Sequence, residues 1–306
     1  MDTDVLSPLE ELARDFLAHC RARRLSPKTI ELVYRPRLER LFLPWCRQHG
    51  IERPEQVTQR VLDRFGADLA ARKLAPASLE SYGRSINAFL RWARREGEKI
   101  SGSLPQPQLP KRIVPTLTPA EYAAMLRVAG PRDRLLLRIL WHTGARAGEI
   151  AYDPGTDGGL KVGDLIEDGR TSWLLLRRKG RERKVPLPTD VARDLRRYIR
   201  TRPDVPFDWV FISERRGRNG DWLPLGVSGL EQMLRLTARR AGIERRVWPH
   251  LFRHSFVTRM LARGVDSTVL RRVLGHSSTR MIDAVYLHPS DADIARILDA
   301  VSDTGG

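Results

Sequence analysis

A proline-dense segment at residues 99–115 constrains the fold of this chain more than any other feature of its sequence. Its four prolines are Pro105, Pro107, Pro110 and Pro115. Proline at this density blocks both a helix and a sheet ladder, so the segment is predicted to be an extended linker. We therefore expect two domains, at residues 1–98 and 117–306, joined by a linker at 99–116. A chain of 306 residues is long enough for two domains of ordinary size.

The first predicted domain has the apolar spacing of a helical bundle. Ser26-Pro27 predicts a helix that begins with proline in its first turn. Apolar residues then recur at helical spacing, at Ile30, Tyr34, Leu38, Leu41 and Trp45. Pro36 and Pro44 interrupt this pattern, so we expect a kinked or split helix rather than one straight helix.

The second predicted domain is mainly helical with a small β-sheet. Thr118-Pro119-Ala120-Glu121 predicts a capping box at the start of its first helix. Strand patterns are limited to residues 173–177, 184–187 and 209–212. The fold class predicted for the whole chain is therefore mainly α with a small sheet.

The chain is strongly basic, with a net charge of +17 and an isoelectric point near 10.8. Arginine accounts for 47 of its 54 cationic residues, and the guanidinium group binds phosphate with two parallel hydrogen bonds. This charge predicts an anionic partner, and nucleic acid fits best. A protein from a generally basic proteome, or one associated with ribosomes, remains the alternative on charge alone.

The two cysteines, Cys20 and Cys46, are too few for a zinc site, and both lie in helical patterns. We expect buried free thiols in a reducing compartment. There is no signal peptide pattern and no run of 18 apolar residues, so the sequence predicts no membrane association and a cytoplasmic location.

The chemistry is suggested by two motifs near the end of the chain. Trp248-Pro249-His250-Leu251-Phe252-Arg253-His254 places His250 and Arg253 on one helix face. Leu274-Gly275-His276 follows, and Tyr286 comes ten residues after His276. A proton carrier, a phosphate-binding guanidinium and a tyrosine hydroxyl in this order suggest phosphoryl transfer through a covalent tyrosine.

Two further motifs lie upstream. Thr143-Gly144-Ala145-Arg146-Ala147-Gly148-Glu149 ends an apolar helix, and Lys179-Gly180 follows a predicted strand. With these motifs the chain resembles the tyrosine recombinases of the phage integrase family, in the order in which that family has them. The residues concerned are Arg146, Lys179, His250, Arg253, His276 and Tyr286. The resemblance covers the last two thirds of the chain by motif and the first third by pattern only.

The resemblance implies a site-specific DNA recombinase, of Xer-like or mobile-element type, that cuts DNA through a 3′-phosphotyrosine and needs no cofactor or metal. Arg146 and Arg253 would bind the phosphate oxygens that gain charge during displacement. Tyr286 would be the nucleophile and His250 its base, since a phenol with a pKa near 10 is protonated at neutral pH. His276 would donate to the same phosphate, and Glu149 would orient Arg146 or a histidine.

The general acid for the departing 5′ oxygen is left open between two lysines. Lys179 matches the lysine of the family's hairpin. The segment from Lys179 to the Val185-Pro186-Leu187 strand is, however, one residue shorter than the family's spacing, so Lys184 competes for the role. Residues 153–159 also exceed the family's usual length, and we interpret them as a surface loop insertion that leaves the position of Asp164 uncertain.

The resemblance further implies that the first domain is a SAM-like core-binding module, and that the two domains close around DNA as a clamp. Candidate phosphate contacts are Lys28, Arg35, Arg84 and Arg91 in the first domain and Lys111 and Arg112 in the linker. Other basic residues on polar helix faces, such as Arg37, belong to the same hypothesis. The expected partner is double-stranded DNA with a specific recombination site, bound by a homotetramer on paired sites.

Three alternative interpretations fit part of the same sequence. A type IB topoisomerase would share the tyrosine and phosphate-binding residues but relax supercoils, and a DNA-binding accessory or regulatory protein would lack strand exchange. His250 and His254 have the i, i+4 spacing of a metal site, but no acidic residue lies between them and no third ligand suggests itself.

Overall fold

The computed structural model of the protein describes residues 6–107 and 115–275. The chain divides into two compact units, Met1–Lys111 and Arg112–Gly306. Each unit has its own hydrophobic core.

The first unit is a bundle of helices. Its regular helices are α1 (Pro8–Ala22), α2 (Pro27–Thr29), α3 (Arg35–Arg37), α4 (Leu43–Gln48), α5 (Gln59–Ala71) and α6 (Pro76–Arg95). A capping box opens α1, because Ser7 Oγ accepts from the backbone of Glu10, whose carboxylate accepts from the backbone of Ser7. Edge-to-face contacts of Phe42 with Phe65 and Phe89 fill the core.

The helical run from α2 to α4 continues through its two interior prolines, Pro36 and Pro44. π-helical segments at Ile30–Tyr34 and Leu38–Phe42 separate the three short α-helices, and each ends two residues before a proline, Pro36 or Pro44. A proline cannot donate a backbone hydrogen bond and crowds the carbonyl four residues earlier. The wider π turn relieves this conflict, so the run is neither a straight α-helix nor two separate helices.

Residues 99–107 form neither helix nor strand, as predicted, but they pack on the first unit rather than leave it. Ile100 and Leu104 are buried in its core. The backbone of Leu104 exchanges two hydrogen bonds with the side chain of Asn87, at 2.7 and 2.9 Å. The proline-rich segment therefore begins as part of the bundle, and the predicted linker boundaries stay a prediction because residues 108–114 lie outside the described residues.

Both cysteines are buried in this first core as free thiols. Burial raises the pKa of the Cys46 thiol to about 12. Such a thiol stays protonated and acts as a small apolar side chain.

The second unit combines helices with a three-stranded sheet and a two-stranded sheet. Its helices are α7 (Pro119–Val128), α8 (Pro131–Thr143), α9 (Ala147–Ile150), α10 (Thr189–Thr201), α11 (Val227–Arg240), α12 (Pro249–Ala262) and α13 (Ser267–Leu274). Its strands are β1 (Leu165–Asp168), β2 (Thr171–Arg178), β3 (Arg181–Leu187), β4 (Ile212–Arg216) and β5 (Trp222–Pro224). The predicted capping box at Thr118 and Glu121 opens α7.

The structure contains two of the three strands that the sequence predicts, and the third begins later than predicted. The larger sheet has the antiparallel order β1-β2-β3, and it contains the predicted strands at 173–177 and 184–187. The prediction for 209–212 was wrong in extent, because Trp209 forms only an isolated bridge with Lys161 and β4 begins at Ile212. The fold class, mainly α with a small sheet, is confirmed. No helix in the described part of the chain has the length and apolar character to cross a membrane.

Candidate active site

A tight turn after α8 fixes the position of Arg146. Gly144 ends α8 with φ +57°, and a Cβ there would lie 2.7 Å from Cδ1 of Phe256. Only glycine fits this left-handed position and close approach. Two residues later Arg146 caps the start of α9, and its backbone N–H and its Nη1 each donate to the Glu149 carboxylate at 2.8 Å.

A second arginine, Arg183 of β3, meets the same carboxylate. Its Nε and Nη2 donate to the two oxygens of Glu149 at 3.2 and 2.6 Å. Arg183 and Glu149 are both buried, with side chains only 6% and 4% exposed. Arg183 is not among the site residues predicted from the sequence, although the alternation of β3 places it on the same inward face as Val185 and Leu187.

The Glu149 carboxylate is a buried anion held between two cations. Burial alone would raise its pKa, but hydrogen bonds and charge from Arg183 and Arg146 outweigh burial and lower the pKa to about 2. The carboxylate is therefore ionised at neutral pH. It accepts hydrogen bonds from Arg146 and from Arg183, so it also ties α9 to β3.

We expect Glu149→Ala to lower the free energy of unfolding by about 3–5 kcal/mol, because it leaves the charge of Arg183 buried without its anion. Urea unfolding of the DNA-free protein measures the loss. The matched control is Glu182→Ala on the same hairpin, whose exposed carboxylate pairs with Arg177 at 2.8 Å and should contribute under about 1 kcal/mol.

The pH dependence of the free energy of unfolding is a second measure of the Glu149–Arg183 ion pair. The pKa of Glu149 is depressed in the folded protein, so its stabilisation is present above its ordinary pKa of 4.5 and is lost as the pH falls through about 2. Equal losses in the Glu149 and Glu182 variants would contradict a buried ion pair that holds α9 to β3.

Three guanidinium groups converge on the end of α13. Arg253 and Arg146 both donate to the carbonyl of Leu274, at 2.8 and 3.4 Å, and Arg183 donates to the carbonyl of Val273. These carbonyls have no partners within the helix, and cations at a helix C-terminus also offset its dipole. The structure thus brings Arg146 and Arg253 together through one shared acceptor.

The chain turns sharply just beyond this point. Gly275 has φ +61°, and a Cβ there would lie 2.8 Å from Cδ of Arg183. His276 follows directly in the sequence. His276 and Tyr286, both predicted site residues, lie outside the described residues.

Arg253 occupies the interior of the second unit. It is fully buried, and its Nη1 donates to the carbonyl of Gly144 at 2.7 Å, so it joins the ends of α8 and α13. Burial, followed by the charges of Arg146 and Arg183, lowers its pKa to about 9. It therefore remains a cation at neutral pH.

His250 lies one turn before Arg253 at the start of α12 and is exposed on one side. Desolvation of the ring, followed by the positive charges of Arg253, Arg146 and Arg178, lowers its pKa below the ordinary 6.5. The ring is neutral at neutral pH, which is the form that accepts a proton.

His254 is half-buried, and burial with the nearby His250 and Arg253 lowers its pKa to about 4. The part of the chain that the structure describes holds no group of three histidine, cysteine or acidic residues suited to a metal ion.

A two-residue turn joins β2 to β3 and presents Lys179. Arg178 pairs with Arg181 across the hairpin, so Lys179 and Gly180 are its central residues. Their φ values are +53° and +68°, the left-handed pair of a type I′ turn. The shortened hairpin noted in the sequence is therefore a tight turn with an exposed lysine at its tip.

Lys179 and Arg146 border one cavity of about 320 Å³. The residues that line it are Arg146, Glu149, Leu176, Arg178, Lys179, Arg181, Glu182, Arg183 and Gly275. Five of these side chains are cationic and two are carboxylates, so the cavity suits an anionic ligand such as a phosphate.

Lys184 lies elsewhere. It is exposed on the strand face opposite Arg183 and lines a neighbouring cavity with Trp173 and Arg272. The two cavities share Glu182 and Arg183, but Arg146 and Lys179 border only the first. This placement favours Lys179 over Lys184 as the lysine that accompanies Arg146.

The uncertain Asp164 is buried, and its carboxylate accepts hydrogen bonds from the backbone of Lys161 and from Arg177. Asp164 thus anchors the start of β1, and it does not line the cavity that Arg146 and Lys179 border.

The basic residues of the first unit are in varied settings. Lys28 and Arg91 are exposed, whereas Arg35 and Arg84 pair with Glu31 and Glu80 one helical turn away, at 3.0 and 2.5 Å. Such exposed pairs are weak and can be exchanged for other anions.

Arg37 differs from these residues. It donates to Ser85 and Ser81 of α6 at 2.7 and 3.0 Å, which makes it a structural contact within the bundle. Lys111 and Arg112 lie outside the described residues.

Comparison with known proteins finds a family match over more than half of the chain. Residues 115–293 match the phage integrase family. The chain is 30% identical over 229 residues to the tyrosine recombinase XerA of Pyrococcus furiosus, covering 72% of this chain and 73% of the relative.

Solved structures show the same fold. The Tn1549 transposon integrase in complex with circular intermediate DNA is 21% identical, with a TM-score of 0.65 over 95% of this chain and 98% of that one. The site-specific recombinase XerH bound to its difH substrate is 20% identical, with a TM-score of 0.63 over 92% of this chain and 84% of that one.

Proposed function

Because the chain belongs to the phage integrase family, we propose that it is a site-specific DNA recombinase that breaks and rejoins strands through a covalent 3′-phosphotyrosine. The observation that supports this best is the convergence of Arg146 and Arg253 on the carbonyl of Leu274, beside a cationic cavity that Lys179 also lines. Leu274 contacts both arginines and precedes His276 by two residues in the sequence, and Tyr286 follows ten residues after His276.

In the proposed reaction the Tyr286 hydroxyl attacks a backbone phosphorus and gives its proton to His250, which is neutral at neutral pH. The bond from phosphorus to the 5′ oxygen breaks, and Lys179 protonates that oxygen as it leaves. The bond energy of the phosphodiester is kept in the phosphotyrosine, so a 5′ hydroxyl of another strand can reverse the step and reseal the DNA. The proposal needs no cofactor.

Charge on the two non-bridging oxygens increases during each displacement, and preorganised cations stabilise it. Arg146 is 25% exposed and borders the cavity, so it can reach a phosphate directly. Arg253 donates from both of its Nη atoms to backbone carbonyls, one of them shared with Arg146, and these bonds fix its guanidinium beside that of Arg146. A guanidinium carries five N–H donors, so Arg253 would contact the phosphate without giving up these two bonds. His276 would donate to the same phosphate.

The proposed partner is double-stranded DNA with a specific recombination site. The two domains, at residues 1–98 and 117–306, would close around the duplex, and the linker would follow its backbone. Phosphate contacts would come from Lys28, Arg35, Arg84 and Arg91 of the first domain and from Lys111 and Arg112 of the linker. The recombinase would act at the nucleoid, in the cytoplasm, as a homotetramer on paired sites.

Two assays test the function. A nicked suicide substrate that carries the recognised site should trap a covalent protein–DNA adduct, and a plasmid with two such sites should yield recombinant products. The site itself would first be recovered by sequencing DNA bound to the protein in its host. Relaxed plasmid without recombinants would indicate a topoisomerase, and binding without an adduct would indicate an accessory protein.

A further inference from the structure

The loop of residues 153–159 connects the two sides of the candidate active site. On one side the backbone N–H of Gly159 donates to the carbonyl of Gly148 in α9 at 3.0 Å. On the other side Asp153 and Asp157 contact the tip of the β2–β3 hairpin. The loop therefore contacts α9, the helix that Arg146 caps, and the turn that contains Lys179.

The two hairpin contacts flank Lys179 in the sequence. Asp153 Oδ2 accepts from Nη2 and Nε of Arg178 at 3.0 and 3.3 Å. Asp157 Oδ2 accepts from the backbone N–H of Gly180 at 3.1 Å. The residue before Lys179 and the residue after it are thus both held by the loop.

The loop has a defined shape of its own. Thr156 Oγ1 donates to the carbonyl of Asp153 at 2.9 Å and accepts from the backbone of Gly158 at 3.1 Å. A Cβ on Gly158 would lie 2.2 Å from the carbonyl oxygen of Gly148, so the loop packs directly on α9. Such internal bonds keep the two carboxylates in place before DNA binds.

Lys179 itself occupies a left-handed backbone conformation, at φ +53°, and both turn residues are exposed. A lysine is disfavoured there relative to glycine, and an exposed turn offers little packing to hold it. The hydrogen bonds of Asp153 with Arg178 and of Asp157 with Gly180 therefore help to fix the position of Lys179 relative to Arg146.

We propose that Asp157 and Asp153 are positioning residues that set the location of the general acid Lys179 relative to Arg146. This proposal rests on the proposed function. The 153–159 loop would then act on the proton-transfer step of catalysis. The contacts of Arg146 and Arg253 with the phosphate would be unchanged.

The test compares Asp157→Ala with Asp157→Asn. The asparagine keeps an oxygen acceptor for the Gly180 N–H and removes the charge, whereas alanine removes both. Single-turnover cleavage of the suicide substrate should fall by between about tenfold and a hundredfold in Asp157→Ala, because a general acid is misplaced, and should stay near the parent rate in Asp157→Asn.

A second substrate isolates the affected step. When sulfur replaces the bridging 5′ oxygen, the thiolate leaves without a proton, so Asp157→Ala should cleave this substrate at the parent rate. A loss of equal size on both substrates, or no loss on either, would overturn the positioning role. Tighter DNA binding with unchanged cleavage would mean that Asp157 acts only through its charge.

A readout independent of cleavage completes the design. Amide hydrogen exchange of the full-length protein should become faster at Gly180 in Asp157→Ala and remain at the parent rate in Asp157→Asn. Unchanged exchange in the alanine variant would refute the contact itself. If the parent protein forms no adduct with either substrate, the proposed function fails and the positioning role fails with it, whereas an active parent with an unaffected Asp157→Ala refutes only the latter.

Discussion

Tyr286→Phe is expected to abolish the covalent adduct on the suicide substrate while leaving binding to site DNA nearly intact. The substitution removes one oxygen, the proposed nucleophile, and keeps the ring. Denaturing gel electrophoresis after incubation with labelled DNA measures the adduct, and a mobility shift measures binding.

The packing of other tyrosines in the second unit supports the choice of Tyr286. Tyr122 stacks on Trp141 with ring centroids 4.1 Å apart, and its burial raises the pKa of its hydroxyl to about 12. Tyr198 stacks on Phe211, and burial raises its pKa as well. Hydroxyl groups with raised pKa values are poor nucleophiles.

Tyr152→Phe is the matched control, since Tyr152 lies directly before the 153–159 loop and its ring packs on Trp209 at 4.5 Å. This variant should form the adduct at the parent level. An adduct that persists in Tyr286→Phe and disappears in Tyr152→Phe would move the nucleophile to Tyr152.

Local patterns in the sequence were enough to predict much of the fold. The capping box at Thr118 and Glu121 and the strands on either side of Lys179-Gly180 depend on residues close in sequence, and the structure has them where the patterns placed them. The spacing of Arg146 and Glu149 likewise predicted their contact, because the residue that caps a helix lies close to the third residue within it.

Long-range contacts explain what the sequence could not predict. Arg183 meets Glu149 only because the register of β2 and β3 places it opposite Leu176, on the face that covers α9. Nothing within a few residues of either partner indicates this pairing. The unusual length of the 153–159 segment was visible, but its contacts with Gly180 and Gly148 depend on the path of the folded chain.

The helical run in the first unit shows a different limit. Pro36 and Pro44 predict a disturbance of the helix, and the structure has one before each of them. The sequence does not say whether a helix ends or widens at a proline. Buried residues of this run, among them Leu38 and Phe42, are fully enclosed in the core. Their burial favours a continuous helix, since a break would expose them, and the π turns are the local adjustment.

Arg146→Ala is expected to slow cleavage by about a thousandfold or more, by analogy with other arginines that stabilise phosphoryl transition states. The fold should survive, because the Glu149 carboxylate keeps both hydrogen bonds from Arg183. Urea unfolding checks this, and Arg146→Lys shows how much of the effect is charge alone, since lysine cannot bind two oxygens in parallel.

The bridging sulfur substrate separates Arg146 from the general acid. A thiolate leaves without a proton, so sulfur should restore cleavage to Lys179→Ala. It should not restore cleavage to Arg146→Ala, because the non-bridging oxygens need the charge of Arg146 with either leaving group. Lys184→Ala should cleave the ordinary substrate near the parent rate, because Lys184 faces a different cavity from Arg146. Rescue of Lys184→Ala instead of Lys179→Ala would show that the hairpin changes its register on DNA, since only a shift by an odd number of residues moves Lys184 to the face that Arg183 now occupies.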